Sequence, residues 1–150
     1  MVPEYWQSDD GSKQVLERLY TSGYRMIVTP ITLNGHFHLY YYPQLARIMR
    51  ETRPEVVHID EEPYNFATFQ AMRLAHKQKA PALFFTWQNL YRNYPLPFRQ
   101  IELYNYHHAA IALAGNRDAQ DVLRSKGFTG PIRIIPQFGF DTEIYRRSEP

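Results

Sequence analysis

The stretch Glu55-Val-Val-His-Ile-Asp-Glu-Glu-Pro-Tyr64 does most to limit the folds open to this chain. Val56, Val57 and Ile59 make a short β-branched run, the composition of a buried parallel strand. Pro63 then opens a helix expected over 65–77, so strand passes almost directly into helix. Between the two stand His58, Asp60, Glu61 and Glu62. In an open parallel sheet, ligands bind just beyond the carboxyl ends of the strands. A strand that finishes in a histidine and three carboxylates is therefore expected to form one wall of a site. The plainer alternative is that two carboxylates favour the positive helix N-terminus and the third is solvated.

The same alternation runs through the rest of the sequence. Residues 13–22 place Val15, Leu16 and Leu19 on one helical face, with Ser12 as a cap and Gly23 as a stop. A strand is expected over 24–29, ending at Pro30, before the turn-prone pair Asn34 and Gly35. Leu45, Ile48 and Met49 give the i, i+3, i+4 spacing of a helix over 43–51, which Arg53 and Pro54 end. After the strand over 56–59, the helix over 65–77 should turn Phe66, Phe69, Met72 and Ala75 inward. Strands over 82–86, 111–114 and 132–135 alternate with helices over 97–107 and 117–126. Five strands with intervening helices predict an α/β fold: a Rossmann-like parallel sheet with helices on both faces and the strand over 56–59 central and buried.

Composition excludes several functions. A net charge of +2 with 21% charged residues gives no basis for a nucleic-acid partner. No cysteine is present, which removes disulfides and thiolate chemistry and suits a reducing cytoplasm. No apolar run approaches the roughly 20 residues of a membrane span. The 12 tyrosines, 9 phenylalanines and 2 tryptophans point to amphipathic surfaces that meet a ligand or partner.

Other strand ends add to the expected site. Trp87, Gln88 and Asn89 follow the strand over 82–86. Amides and carboxylates suit the hydroxyl edge of a sugar, and an aromatic ring suits its apolar face. A core tryptophan with two turn-capping amides would read the same way. Gly115 and Asn116 follow the strand over 111–114, where Asn116 either caps the next helix or leaves amide N–H groups for an anion. His36 and His38 would point the same way in extended chain, but two histidines without a third ligand do not make a metal site. His107 and His108 suit the negative end of a helix. Glu62 is expected to cap the helix after Pro63, leaving Asp60 or Glu61 to meet ligand hydroxyls.

The series His58-Ile-Asp-Glu-Glu-Pro-Tyr-Asn65, Phe85-Thr-Trp-Gln-Asn89, Ala114-Gly-Asn116, Lys126-Gly127 and Ile135-Pro-Gln-Phe-Gly-Phe-Asp141 resembles the amino-terminal domain of family 4 glycosyltransferases of the GT-B fold. The similarity runs from about Tyr24 to Asp141 and rests on the order and spacing of the motifs together. It implies one half of a GT-B enzyme: an acceptor-side domain, with a second Rossmann-like domain binding the nucleotide-sugar. It implies retaining transfer of a sugar, hexosyltransferase-like, to a glycan, lipid or small acceptor, with neither metal nor cofactor. The site residues it suggests are His58, Asp60, Glu61, Glu62, Tyr64, Trp87, Gln88, Asn89 and Asn116. The histidine common to many members would fall near Thr86, Trp87 and Gln88, where none stands.

Against the family pattern, residues 1–141 are expected to be a partial amino-terminal domain, lacking a first strand and glycine-rich loop, and 142–150 the start of an interdomain linker or a frayed tail. Such a chain is expected to transfer no sugar alone. Its expected partners are the nucleotide-sugar, the acceptor and the carboxyl-terminal domain, in the cytoplasm and with peripheral membrane contact left open. A non-catalytic Rossmann-like module binding a nucleotide or carbohydrate is the alternative. A nicotinamide dehydrogenase is disfavoured because no G-x-G-x-x-G follows any expected strand.

Overall fold

The computed structural model describes residues 1–8, 10–19, 21–136, 138 and 139. The elements in chain order are β1 (Tyr5–Gln7), β2 (Lys13–Val15), α1 (Leu45–Thr52), β3 (Val57–Ile59), α2 (Phe66–Lys77), β4 (Ala82–Thr86), α3 (Phe98–His108), β5 (Ile111–Ala114), α4 (Arg117–Ser125) and β6 (Ile132–Ile134). Strands β3 to β6 form one sheet in the order β3-β4-β5-β6, with every neighbouring pair parallel. A helix crosses over between each pair, so the α/β, Rossmann-like class expected from the sequence is the fold observed.

Register explains the core. Ile59 lies opposite Phe84, and Phe84 opposite Ala112, so alternate residues of three strands share one face. That face is buried together with Met72 and Ala75 of α2, Tyr106 of α3, and Ala119 and Leu123 of α4. The small Ala112 and Ala114 leave room for rings: Phe84 stacks on Tyr106 at 6.0 Å and meets Phe128 edge-on at 5.8 Å. On the opposite face Phe85 is buried, whereas Leu83, Ile111 and Leu113 are half-buried. Asn116 caps α4, its Oδ1 accepting the Ala119 N–H at 2.9 Å, and Gly127 follows that helix at φ +97°. Only glycine takes that backbone angle without strain.

Several expectations from the sequence need correction. The segment expected as a helix over 13–22 begins instead with β2, paired antiparallel to β1 with Tyr5 opposite Val15. The turn chemistry wins there: Gly11 sits at φ +83°, the Ser12 N–H donates to Asp10 Oδ1 at 2.8 Å, and Gln7 reaches the Gly11 carbonyl at 2.5 Å. Val15 and Leu19 are exposed, so the helical face had nothing to pack against. The strand expected over 24–29 is reduced to an isolated parallel bridge between Val2 and Val28. The sheet therefore has four strands among the described residues, and β3 lies at its edge rather than its centre. Val56 is exposed and outside the strand. In α2 the buried face is Ala67, Thr68, Ala71, Met72 and Ala75; Phe66 and Phe69 are half-buried and meet Tyr41 and Tyr104. His36 and His38 lie in a turn, not in extended chain. The segment 142–150 and Asp141 lie outside the described residues.

Candidate functional site

All four parallel strands end at the same edge, where 60–64, 87–89 and 115–116 meet. Glu62 does most to join them. Instead of capping α2, its carboxylate crosses to the exit of β4: Oε2 accepts the Thr86 hydroxyl at 2.5 Å and Oε1 the Trp87 N–H at 2.7 Å. The cap position belongs to Asn65, whose side chain makes no capping bond. Burial pushes the Glu62 carboxyl up to about 7, against the lowering effect of the Thr86 and Trp87 bonds. Each oxygen keeps a lone pair for a further donor.

Glu61 faces the other way and is fully engaged. It accepts the Tyr40 hydroxyl, the Asn65 amide at 2.7 Å and the Glu62 N–H at 3.1 Å. Asn65 Oδ1 in turn meets His38 Nδ1 at 2.9 Å, tying the irregular segment before α1 to the β3 exit. Desolvation, with the Glu61 charge second, raises the Tyr40 hydroxyl far above its usual range.

Beside Glu62 lies a cavity of about 380 Å³ lined by Glu62, Tyr64, Trp87, Gln88, Asn89, Leu90, Arg92 and Tyr94. Tyr64 and Tyr94 stack in it at 4.2 Å, and burial raises both hydroxyls. Beneath them is Lys126, 3% exposed, its ammonium 4.6 Å from the Tyr94 ring centre. Lys126 pairs with the fully buried Glu102 of α3 and donates to Gln88 Oε1 at 3.1 Å. Glu102 also takes Arg99 at 2.5 Å and the Tyr106 hydroxyl at 3.1 Å. Gln88 is thus oriented from below. The indole of Trp87 lies flat against Gly115, where an added Cβ would come within 2.5 Å of the ring, and Phe138 stacks on it at 6.3 Å.

Of the residues expected from the sequence, Glu62, Tyr64, Trp87, Gln88 and Asn89 share this cavity. Asp60 and Glu61 join Glu62 and Trp87 around a smaller adjoining one of about 150 Å³. His58 is exposed and turns to a third cavity, of about 550 Å³, along the free edge of β3. Asn116 lines none of these three cavities and spends its side chain on the cap. Tyr94 and Arg92 line the cavity, and Thr86 and Lys126 hold its Glu62 and Gln88; none of the four was among the site residues expected from the sequence. Tyr94 and Arg92 stand in an irregular segment with no periodic signal, and a buried lysine looks like any surface lysine on paper. Among the described residues, no three His, Cys, Asp or Glu side chains are grouped to hold a metal ion, and no helix is long and apolar enough to cross a membrane.

A four-stranded parallel sheet with crossover helices, and carboxylate, amide and aromatic side chains gathered at its carboxyl edge, defines a Rossmann-like α/β domain. The family model described as Glycosyltransferase Family 4 matches residues 7–143, and the chain belongs to that family. Sugar and acceptor substrates follow from that membership in general terms. No curated protein and no solved structure gives a significant match to the chain.

Proposed function

We propose that this chain is the acceptor-side domain of a retaining glycosyltransferase that moves a sugar from a nucleotide-sugar to a hydroxyl acceptor held in the 380 Å³ cavity. The observation that carries the reading is the convergence of Glu62, Gln88 and Asn89 with the rings of Tyr64, Trp87 and Tyr94 on that one space. Carboxylate and amides take hydroxyls, while ring faces take the C–H surface of a pyranose. Asp60 and Glu61 stand beside it around the smaller adjoining cavity, His58 turns away to the β3 edge, and Glu61 acts by holding Tyr40 and Asn65 rather than by touching acceptor.

Glu62 is the residue to receive the acceptor hydroxyl. Its backbone anchor fixes the carboxylate, and fixing one reactant is where an acceptor domain contributes: good orientation removes roughly 7–11 kcal/mol of barrier in favourable cases. In retaining transfer the bond from the anomeric carbon to the donor phosphate breaks on the face that the hydroxyl attacks, so positioning is the chief task. In the transferase, Glu62→Gln is expected to lower kcat/KM for the acceptor by about 10–100-fold, the worth of a hydrogen bond to a charged group, and to leave donor Kd unchanged. Unchanged acceptor kinetics, or weakened donor binding, would remove Glu62 from this role.

A further inference from the structure

His38 lines none of the three cavities described above, yet its ring packs against the wall of the one beside Glu62. It meets Tyr64 at 5.3 Å, Tyr94 at 6.0 Å and Phe98 at 5.4 Å, edge-on or tilted in each case. These rings surround the irregular segment 87–97: Tyr94 belongs to it, Tyr64 stacks on Tyr94 from across the cavity, and Phe98 opens α3 just after it. That segment has little else to hold it. Among the described residues the backbone of 89–94 makes no hydrogen bond, so side chains place it. The fixed points are Gln88, which takes Lys126 at 3.1 Å, and Tyr94, which rests among rings.

His38 itself is fixed twice. Its carbonyl accepts the Phe66 N–H, the first amide of α2, at 3.0 Å, and its Nδ1 meets Asn65 Oδ1 at 2.9 Å. The Asn65 amide nitrogen donates to Glu61 Oε2 at 2.7 Å, so its oxygen is the atom left for His38. An amide oxygen only accepts, and Nδ1 therefore carries a proton. Resting on the reading of the 380 Å³ cavity as the acceptor site, we propose that His38 is a positioning residue for that site. Glu61 fixes Asn65, Asn65 fixes the imidazole, and the imidazole holds Tyr94 against Tyr64. The imidazole is needed whole: its donor sets the ring, and the ring sets the wall. Glu61 and Glu62 thus serve one site from two sides.

The test follows tryptic cleavage after Arg92, which is exposed within this segment. Where opening and closing outpace cutting, cleavage tracks the population of the open form. His38→Phe keeps a ring and loses the donor, whereas His38→Asn keeps a donor near Nδ1 and loses the ring. One hydrogen bond or one ring pair is worth about five-fold, so each variant should speed cleavage at Arg92 by about that factor. Cleavage at Arg73 of α2 and Arg124 of α4 should stay near the wild-type rate. An unchanged rate at Arg92 in either variant, or a rise shared equally by Arg73 and Arg124, makes His38 an ordinary packing residue and overturns the proposal. In the wild type, long-range proton–nitrogen NMR correlation should find the His38 proton on Nδ1; a proton on Nε2 alone overturns the proposal even if the variants fail to fold. Acceptor kinetics in the transferase use methyl glucoside, methyl mannoside and methyl galactoside, where both variants should lower kcat/KM several-fold and leave donor Kd unchanged. Wild-type kinetics in both, with Glu62→Gln still impaired, overturn the role of His38 and leave the acceptor site standing. Transfer to none of the three glycosides, or an unimpaired Glu62→Gln, removes the acceptor site and this proposal with it.

Discussion

Burial holds the Glu62 carboxyl at about 7 in the folded chain, against an ordinary value of 4.5, so the folded state keeps a proton that the unfolded chain has lost. Its contribution is therefore fully present below pH 4.5 and declines as pH rises toward 7. Chemical denaturation at pH 5 and pH 8 should show the wild type losing on the order of 1–3 kcal/mol across that interval. Glu62→Gln should flatten the dependence, since an amide can still accept from Trp87 and donate toward Thr86. An equally steep profile in Glu62→Gln would assign the titration to another group. The identity of the acids was legible in the sequence; their directions were not. Adjacent carboxylates point apart, and only the β3–β4 pairing decides that Glu62 reaches Thr86 while Glu61 reaches Tyr40. Gly115 is a second case. The sequence marks it as a place of close approach without saying to what, and the structure supplies the Trp87 ring. Gly115→Ala should cost about 1–3 kcal/mol by overpacking and shift the Trp87 fluorescence as the ring is pushed off. Unaltered emission and stability would mean that the ring relaxes freely.

At the scale of elements, segments with strong periodicity read correctly. The helix expected over 43–51 is α1 (Leu45–Thr52), with Leu45, Ile48 and Met49 buried as the spacing requires, and α4 buries Ala119, Val122 and Leu123 likewise. The error over 13–22 came from giving weight to period over turn chemistry. An apolar stripe makes a helix only if something covers it, and Val15 and Leu19 have no cover. Pairing between elements was out of reach, because Glu102 and Lys126 are 24 residues apart and carry no mark of each other in the sequence (126 − 102 = 24). That buried pair makes its own prediction. Glu102→Gln leaves Lys126 as an uncompensated buried cation and should cost about 3–5 kcal/mol. Adding Lys126→Met should restore much of the loss, as buried pairs often give way to apolar side chains of similar volume. If the double variant is no more stable than the single one, the remaining bonds of Glu102 to Arg99 and Tyr106 dominate instead.

For the molecule as a whole, the parallel α/β class was legible because helix and strand signals alternate without a break from α1 to β6. The position of β3 was not, since edge and centre strands share a composition when both are short. In a parallel ladder alternate residues bond to opposite sides, and the Val57 N–H already serves the Pro81 carbonyl. His58 therefore turns its backbone N–H and C=O to the free edge, above the 550 Å³ cavity lined by Leu45, Ile48 and Met49. An open strand edge over apolar side chains is an association hazard. Sedimentation of the chain should show self-association that rises with concentration, and a charge at the edge, Val57→Lys, should reduce it. A chain that stays monomeric at high micromolar concentration would show that the edge is shielded.

The order β3-β4-β5-β6 is also the order in which the ribosome makes these strands. Every parallel pairing in the sheet joins a strand to the one completed just before it, with a single helix between. As synthesis proceeds from the amino end, each new strand finds its docking edge already in place and leaves a fresh one for its successor. Among the described residues, the parallel β-sheet can thus be assembled by accretion, each strand after β3 meeting a neighbour already made. Its last-added members, β6 and the segment after it, complete the edge where Trp87 waits for Phe138. The floor of the cavity is set when Lys126 reaches Glu102, so the cavity wall is among the later parts of the described fold to take shape during translation.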